Sequence, residues 1–270
     1  MLFPISVSLH RLHDDQLPIS SPTVDKEVLE VIPHIDAGYR TSGHVSEDFV
    51  VEGTFSSLLI ELNDWADGRN EDLKSKPIYL LTGEAGSGKS TIASEFARRL
   101  DGDHRLGASF FFTEKTEESS MRLFASSVAY QLAQSQPALR PHIAAVARQS
   151  DGANEDQHFA HDGAVLLERS LRAVTSQFHA PVILVIDSIG DASSASASQV
   201  LQCLIATVRQ SQVPIRVFLT SRSGDVVEKI ILSEYPSDVH RVSMQDVPRE
   251  AVDQDITSLL RAKQIGRAHV

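Results

Sequence analysis

The stretch Gly83-Glu84-Ala85-Gly86-Ser87-Gly88-Lys89-Ser90 decides the fold, because it fits the pattern G-x-x-x-x-G-K-[ST] of a phosphate-binding loop. A short apolar run of β character, Pro77-Ile78-Tyr79-Leu80-Leu81-Thr82, comes directly before it and predicts a buried strand. From Thr91 to Leu100 apolar residues recur at helical spacing, and Asp101-Gly102 end the pattern. A strand, a glycine loop and a helix in this order are the setting in which the motif binds phosphate.

The residue types of this stretch suit a phosphate ligand. Glycines have no Cβ, so the backbone of the loop can adopt open dihedral angles and approach a phosphate closely. Lys89 is expected to reach the β- and γ-phosphates, and the Ser90 hydroxyl to bind Mg²⁺. The residues expected to contact the nucleotide, partly through N–H groups at a helix start, are Gly83, Glu84, Ala85, Gly86, Ser87, Gly88, Lys89, Ser90 and Thr91. The alternative, a glycine-rich turn that binds nothing, is disfavoured by the flanking strand and helix.

The composition is that of a globular protein. The 270 residues are 41% hydrophobic and 23% charged, which suits one large α/β domain. A net charge of −11 argues against a general nucleic-acid or anionic-membrane surface. The single cysteine, Cys203, excludes a disulfide framework and a cysteine-based zinc site. No apolar run is long enough to span a bilayer and the start lacks a basic signal-peptide region, so we expect a cytoplasmic protein.

Further apolar runs predict the other elements. Buried strands are expected at 106–112, 181–187 and 215–220, with a short last strand at 240–244. Helices are expected at 56–66, in the region 121–146, at 164–178 and at 199–209, with a loop at 189–198. Trp65 is expected to pack in the core. Residues 1–45 are interrupted by prolines and are expected to be irregular, with a short helix near 25–32; their His and Asp residues lack a metal-ligand spacing.

Two of these strands end in polar side chains. The run 181–187 is apolar throughout, as in a parallel sheet buried on both faces, and it ends in Asp187. Because ligands bind beyond the carboxyl ends of parallel strands, Asp187 matches a Walker B aspartate that holds Mg²⁺, usually through a water; a helix N-cap is the alternative. Ser221 and Arg222 follow the strand at 215–220, where they could sense a γ-phosphate, although an ordinary turn is also possible.

Taken together, these segments resemble the NACHT domain of fungal STAND-class signal-transduction NTPases, which are NLR-like proteins. The resemblance covers roughly residues 35–262. The segments that carry it are Ala37-Gly38-Tyr39, Gly53-Thr54 leading to Trp65, Lys76 to Gly83, the loop with Ser90-Thr91-Ile92-Ala93, Leu106 to Phe112, Val128 to Ala133, Val185-Ile186-Asp187 and Leu219-Thr220-Ser221-Arg222. Their order and spacing make the resemblance more specific than the loop alone.

The resemblance implies a three-layer α/β P-loop NTPase with a central, mostly parallel five-stranded sheet of order 5-1-4-3-2. It implies binding of ATP or GTP with Mg²⁺, ADP or GDP in the resting state, and self-association on nucleotide exchange in signal transduction of the innate-immunity type. By position, Lys89 and Ser90 bind phosphate and Mg²⁺, Asp187 is the Walker B carboxylate, and Arg222 is the sensor arginine. The trigger and the downstream effector do not follow from the sequence.

The chain departs from the family pattern at two places. The family usually has two adjacent acidic residues three and four positions after the Walker B aspartate, where this chain has Gly190 and Asp191. With Asp187, Asp191 and Arg222 as the candidate catalytic residues, we expect binding to survive, hydrolysis to be slow or absent, and Gly190→Asp to raise the rate. The family's Gly-Thr-Arg is Gly53-Thr54-Phe55 here, so a polar contact near the base is expected to be missing.

Four segments are expected along the chain. They are an irregular N-terminal segment at 1–45, a NACHT domain at 46–250, the start of a helical domain at 251–263 and a non-native tail at 264–270. The tail, Gln264 to Val270, reads as the translation of a common sequencing adapter, so we interpret the chain as a fragment.

Three functions stay open on the sequence. The leading hypothesis is a nucleotide-operated signalling switch with weak hydrolysis. The main alternative is a P-loop kinase that transfers the γ-phosphate to a small acceptor, which the lack of an arginine-rich segment beyond the strands disfavours. The third is a non-hydrolysing scaffold that has lost nucleotide binding and works only through protein contacts, against which the intact Lys89, Ser90 and Asp187 argue.

Overall fold

The computed structural model describes residues 22–41, 55–113, 118–149, 159–174, 178–191 and 194–247. The helices in this part of the chain are α1 (Pro22–Glu30), α2 (Ser56–Asp67), α3 (Lys89–Gly102), α4 (Glu118–Ser135), α5 (Arg140–Gln149), α6 (Phe159–Arg172), α7 (Ser194–Gln210) and α8 (Val226–Glu234). The strands are β1 (Ile78–Gly83), β2 (Leu106–Phe111), β3 (Val182–Asp187), β4 (Ile215–Arg222) and β5 (Val239–Ser243). Short 3-10 helices lie at Glu71–Leu73 and Ile189–Asp191.

The strands form one parallel five-stranded sheet of order β2-β3-β4-β1-β5. This confirms the predicted order 5-1-4-3-2 and the three-layer α/β fold. Leu81 of β1 is aligned with Thr220 of β4, and Ile186 of β3 with Leu219, so the carboxyl ends of these three strands lie side by side. After β1 the chain passes to β2 at one edge of the sheet, whereas β5 pairs with β1 on its other side and forms the opposite edge. Such a reversal in strand order opens a crevice at the carboxyl ends of a parallel sheet.

Helices cover both faces of the sheet, which is why its strands are continuous apolar runs. In β1, Ile78 and Leu80 pack into one apolar cluster, while Tyr79 and Leu81 pack into the other. Residues of α2 and α3 complete the cluster around Tyr79, and residues of α1 and α4 to α8 complete the cluster around Leu80. Helix α3, which follows the phosphate loop, therefore packs with α2 on one face of the sheet, while α1 and α4 to α8 pack on the other face.

Trp65 packs in the core, as predicted. Its side chain is fully buried beside Tyr79, with the two ring centroids 5.5 Å apart in an edge-on arrangement. The indole N–H donates to the carbonyl oxygen of Lys76 at 2.7 Å, so the polar end of the ring is satisfied. Helix α2, which carries Trp65, ends at Gly68 with a φ of 67°, where the sequence predicted the end.

Part of the N-terminal segment packs against the sheet. The short helix expected near 25–32 is α1, and the chain that follows it runs along the edge strand β2. The backbone N–H of Phe111 donates to the carbonyl of Ala37 at 2.8 Å, and that of Tyr39 donates to Ser109 Oγ at 3.0 Å. Residues 1–21, 42–54 and 248–270 lie outside the described residues, so the domain boundaries near 45, 250 and 263 stay predictions.

The described residues of the segment 189–198 are helical, whereas its small polar residues predicted a loop. Ile189–Asp191 is a 3-10 helix, and α7 begins at Ser194, five residues before its predicted start. Ala197 and Val200 extend the buried apolar stripe of α7 toward its amino end, and this packing outweighs the weak helix propensity of the serines. Helix α6 also ends earlier than predicted, at Arg172. Within the described residues no helix is long and apolar enough to cross a lipid bilayer.

Candidate functional site

The turn from β1 to α3 needs its glycines for two different reasons. Gly86 and Gly88 have φ angles of 76° and 95°, in the left-handed region that residues with a Cβ rarely adopt. Gly83 lies outside that region, but a Cβ built there would be 2.8 Å from both Met244 Cβ and Ser87 Oγ. The sequence led us to expect that all three positions require glycine. Open dihedral angles are the reason at Gly86 and Gly88, whereas close packing is the reason at Gly83.

The amino end of α3 opens toward the loop. The first hydrogen bond of the helix runs from the N–H of Ile92 to the carbonyl of Gly88 at 3.0 Å, so the N–H groups of Lys89, Ser90 and Thr91 precede it. Gly88 is the N-cap and has no side chain with which to satisfy them. The N–H groups of a helix's first turn are not used by the helix's own hydrogen bonds, and together with the positive end of the helix dipole they make a site that favours an anion.

Lys89 is folded over the loop. Only 8% of the residue is exposed, and its Nζ donates to the carbonyls of Gly83 and Glu84 at 2.8 Å each, with Ser87 Oγ at 3.4 Å. A buried ammonium group needs such polar partners because it has lost its water. The lysine therefore places a positive charge above the same loop whose backbone N–H groups favour an anion.

Asp187, at the carboxyl end of β3, is held by hydroxyl groups. Its residue is 1% exposed, and it accepts hydrogen bonds from Thr220 Oγ1 at 2.6 Å and from Ser188 Oγ at 2.9 Å. Thr220 Oγ1 in turn accepts from the N–H of Ser188 at 2.9 Å. Because Thr220 belongs to β4, this network ties the ends of two neighbouring strands together. The carboxylate is thereby fixed in one position.

The carboxyl end of β4 is fixed by the N-cap of α8. Asp225 accepts through Oδ1 from the N–H of Glu228 at 2.8 Å, and through Oδ2 from the N–H of Arg222 at 3.2 Å. The Ser221 hydroxyl also donates to Asp225 Oδ2. This one carboxylate therefore caps the helix and also holds Ser221 and Arg222, the last two residues of β4.

These elements enclose a cavity of about 320 Å³, within the range of roughly 300 to 1,000 Å³ that is typical of small-molecule sites. The phosphate loop forms one wall, and the ends of β3 and β4 form the other. The lining residues are Ala85, Gly86, Ser87, Gly88, Lys89, Ser90, Thr91, Ser188, Gly190, Ser221 and Arg222. The fold thus brings Arg222, 133 positions after Lys89 in the chain, to the same cavity as the loop.

The cavity carries oxygen groups of the kind that could hold a magnesium ion. Among the described residues no three His, Cys, Asp or Glu side chains gather into a metal-binding group. Mg²⁺ does not require such a cage, because it is usually held by one or two carboxylates or hydroxyls together with water and substrate phosphates. The Ser90 hydroxyl lies in the cavity wall, and Asp187 stands directly behind Ser188, another wall residue. Ser90 and Asp187 are therefore the residues that would hold Mg²⁺ alongside a nucleotide.

Comparison with known proteins identifies the family. The family model described as "Nephrocystin 3, N-terminal" matches residues 54–222, which is well over half of the chain. The chain belongs to the nephrocystin 3 N-terminal family. A search of curated proteins gave no match.

The match to the nephrocystin 3 N-terminal family covers the phosphate loop, Asp187 and the end of β4. It lies within the NACHT-like region predicted from the sequence, and it stops at Arg222. The α8 N-cap residue Asp225 falls just beyond it. The carboxylate that holds the β4 side of the cavity wall therefore comes from outside the matched residues.

Gly190 of this family member is surrounded by polar side chains. A Cβ built on Gly190 would overlap Asp225 Oδ2 and lie 3.1 Å from Ser221 Oγ. The sequence predicted that Gly190→Asp would raise a hydrolysis rate. A side chain at position 190 would displace the Asp225 carboxylate from its hydrogen bonds, and the effect of this substitution on hydrolysis stays a prediction. Asp191 ends the same 3-10 helix, and its side chain lies outside the described part of the chain.

Phe55 contacts the phosphate loop. It precedes α2 with φ 54° and ψ 28°, a left-handed conformation that is uncommon for an aromatic residue. A Cβ built on Gly88 would lie 2.9 Å from Cζ of the Phe55 ring, so the ring rests directly on the N-cap of α3. The resemblance to NACHT domains led us to expect a missing polar contact at this position, and Phe55 instead places an apolar ring against the loop. Gly53 and Thr54 lie outside the described residues.

The structure brings most of the predicted site residues together. Seven loop residues and Arg222 line the cavity, while Gly83 and Glu84 accept from Lys89 at its base and Asp187 is buried behind the wall. Sequence reasoning missed Ser188 and Asp225. Asp225 could have been found, because Asp followed three positions later by Glu is the pattern of a capping box. Ser188 carried no such signal.

Proposed function

We propose that this chain binds a nucleoside triphosphate, ATP or GTP, together with Mg²⁺. One observation carries the proposal: the phosphate loop at the amino end of α3 and the polar ends of β3 and β4 line a single cavity. An anion there would meet backbone N–H groups, a helix dipole and the Lys89 ammonium group, all of which favour negative charge. A cytoplasmic location, where these nucleotides are abundant, belongs to the same proposal.

Each wall residue has a role in this proposal. Lys89 now donates to the carbonyls of Gly83 and Glu84 within the loop. When a nucleotide binds, it would exchange these hydrogen bonds for bonds to phosphate oxygens. Ser90 and Asp187 would hold Mg²⁺, which neutralises part of the phosphate charge. The fixed position of the Asp187 carboxylate reduces the entropy cost of binding the ion.

We further propose that the site works as a switch rather than as an efficient catalyst. Arg222 lines the wall formed by β4, so it is placed to contact a γ-phosphate that a diphosphate lacks. A switch requires that diphosphate and triphosphate favour different conformations of the protein. A side chain that contacts only the triphosphate can provide this difference. Because position 190 has no acidic side chain, turnover is expected to be slow. Exchange of diphosphate for triphosphate would then promote self-association.

Titration calorimetry with the four nucleotides ATP, ADP, GTP and GDP in the presence of Mg²⁺ tests the binding proposal. Phosphate release is followed in the same samples, and sedimentation velocity measures the oligomeric state with each nucleotide. The proposal expects binding, slow phosphate release and a larger species with the triphosphate or its non-hydrolysable analogue. A folded chain that binds none of the four contradicts the proposal. Binding without any change in sedimentation removes the self-association step only.

A further inference from the structure

A carboxylate from α8 occupies the space next to Gly190. The ends of β3 and β4 are neighbours in the sheet, so the turn after each strand meets the other above the cavity. A Cβ on Gly190 would overlap Asp225 Oδ2 and lie 3.3 Å from Asp225 Cγ. The negative charge that position 190 lacks is therefore present nearby, but it comes from a different element of the fold.

Asp225 acts on the cavity through Ser221. The Ser221 hydroxyl donates its proton to Asp225 Oδ2, while Ser221 itself lines the cavity. A hydroxyl has one proton to donate and two lone pairs that accept. With the proton committed to Asp225, the oxygen of Ser221 has lone pairs left that can accept a hydrogen bond from a group in the cavity. Without the carboxylate, the same hydroxyl could turn and donate to a phosphate oxygen instead.

The carboxylate is not free to turn away from this position. Its Oδ1 caps α8 through the N–H of Glu228 at 2.8 Å, and its Oδ2 also accepts from the N–H of Arg222 at 3.2 Å. Rotation of the side chain would break several hydrogen bonds at once and uncap the helix. Ser221 is 1% exposed, so its hydroxyl has little bulk water to which it could turn.

We propose that Ser221, held by Asp225, positions the attacking water for hydrolysis of the bound nucleotide. The water oxygen forms a bond to the γ-phosphorus, and the bond from that phosphorus to the β–γ bridging oxygen breaks. The electron pair of the broken bond stays on the diphosphate; one proton of the water remains on the attacking oxygen, and the other passes to another oxygen of the released phosphate. Ser221 and Asp225 are positioning residues: they orient the water and take no proton. The inference rests on the nucleotide binding proposed above.

This arrangement accounts for the glycine at position 190. A side chain at position 190 would overlap the Asp225 carboxylate where that carboxylate now lies. A glycine at position 190 therefore leaves the space that Asp225 occupies. A hydroxyl backed by a carboxylate is a weaker acceptor than the carboxylate itself, so we expect slow rather than absent turnover.

Single-turnover hydrolysis of Mg²⁺-ATP or Mg²⁺-GTP, whichever binds, tests the proposal in S221A, D225N and D225S. Asn and Ser cap helices about as well as Asp, so both Asp225 variants keep the cap while removing the charge. D238N is the matched control, because Asp238 pairs with Arg209 beside the amino end of β5, at the opposite end of the sheet. We expect hydrolysis to slow by at least about tenfold in the three variants and to be unchanged in D238N, with nucleotide affinity within about twofold throughout.

A second experiment moves the carboxylate from α8 to the 3-10 helix. G190D alone is expected to hydrolyse more slowly than the wild type, since its side chain displaces Asp225. The double variant G190D/D225S has room for the new side chain, and it is expected to hydrolyse faster than D225S alone. A change that merely damaged the fold would not produce this recovery.

The outcomes separate this inference from the proposed function. If the wild-type chain binds no nucleotide, the proposed function fails first. If it binds and hydrolyses, but S221A and the Asp225 variants retain the wild-type rate, the inference is overturned while the proposed function stands. If G190D alone hydrolyses nucleotide faster than the wild type, the claim that a side chain at position 190 disturbs a useful Asp225 carboxylate is wrong, and the inference is likewise overturned.

Discussion

Replacing Thr220 with valine removes the hydroxyl that joins β4 to Asp187, while nearly preserving the volume of the side chain. The fully buried hydroxyl donates to the Asp187 carboxylate at 2.6 Å and accepts from the N–H of Ser188 at 2.9 Å. A hydrogen bond to a charged group contributes about 1.5–3 kcal/mol, and a buried donor left without a partner costs about 1–3 kcal/mol. Because Ser188 and Asp187 can relax together, we expect T220V to lower the free energy of unfolding by about 2–4 kcal/mol.

Urea denaturation, followed by circular dichroism, measures this change. The control is T82V, because Thr82 is equally buried at the end of β1 but its hydroxyl makes only a 3.5 Å contact with the carbonyl of Val242. We expect T82V to cost about 0–1 kcal/mol with the same dependence on urea concentration. Equal losses in the two variants would refute the reasoning, since they would show that the bond to Asp187 contributes nothing beyond the burial of a hydroxyl.

Two further predictions concern the phosphate loop and the helix after it. G88A should destabilise the fold more than G86A in urea denaturation: both need a left-handed backbone, which costs about 1–2 kcal/mol, but only the new methyl at 88 meets a neighbouring ring. Burial raises the pKa of Glu95, but hydrogen bonds and charge from Arg98 and Arg99 outweigh it and keep that pKa below its usual range. The stabilisation is therefore present above the unfolded pKa of about 4.3 and is lost as the pH falls through the folded pKa. E95Q should thus lower the free energy of unfolding more at pH 7 than at pH 3, which urea denaturation at the two pH values measures.

The sequence predicted the strands well for a definite physical reason. A parallel strand covered on both faces must be apolar throughout, so 181–187 and 215–220 could be recognised without any partner being known. The order of the strands came from the resemblance to a family. The start of α7 was missed because serines at 194, 196 and 198 have weak helix propensity, and the packing of Ala197 against the core is a tertiary effect.

The candidate site was predictable where its residues are consecutive and not where the fold joins distant ones. Eight neighbouring positions define the phosphate loop, and Asp187 was recognisable from the strand that it ends. The bond from Thr220 to Asp187 joins residues 33 positions apart, and the overlap at Gly190 involves Asp225, 35 positions away. Only the sheet order brings these pairs together. The effect of a side chain at position 190 could therefore not be judged from the sequence.

The most direct test of the central claim is the affinity of K89A for Mg²⁺-ATP and Mg²⁺-GTP, measured by titration calorimetry. The control is K74A, because Lys74 is an exposed lysine that precedes β1, whereas the phosphate loop follows that strand. The account predicts that the wild type and K74A bind equally well, and that K89A remains folded but loses binding by at least about a hundredfold. Equal affinity of all three proteins for nucleotide would contradict the claim that this loop is the phosphate site.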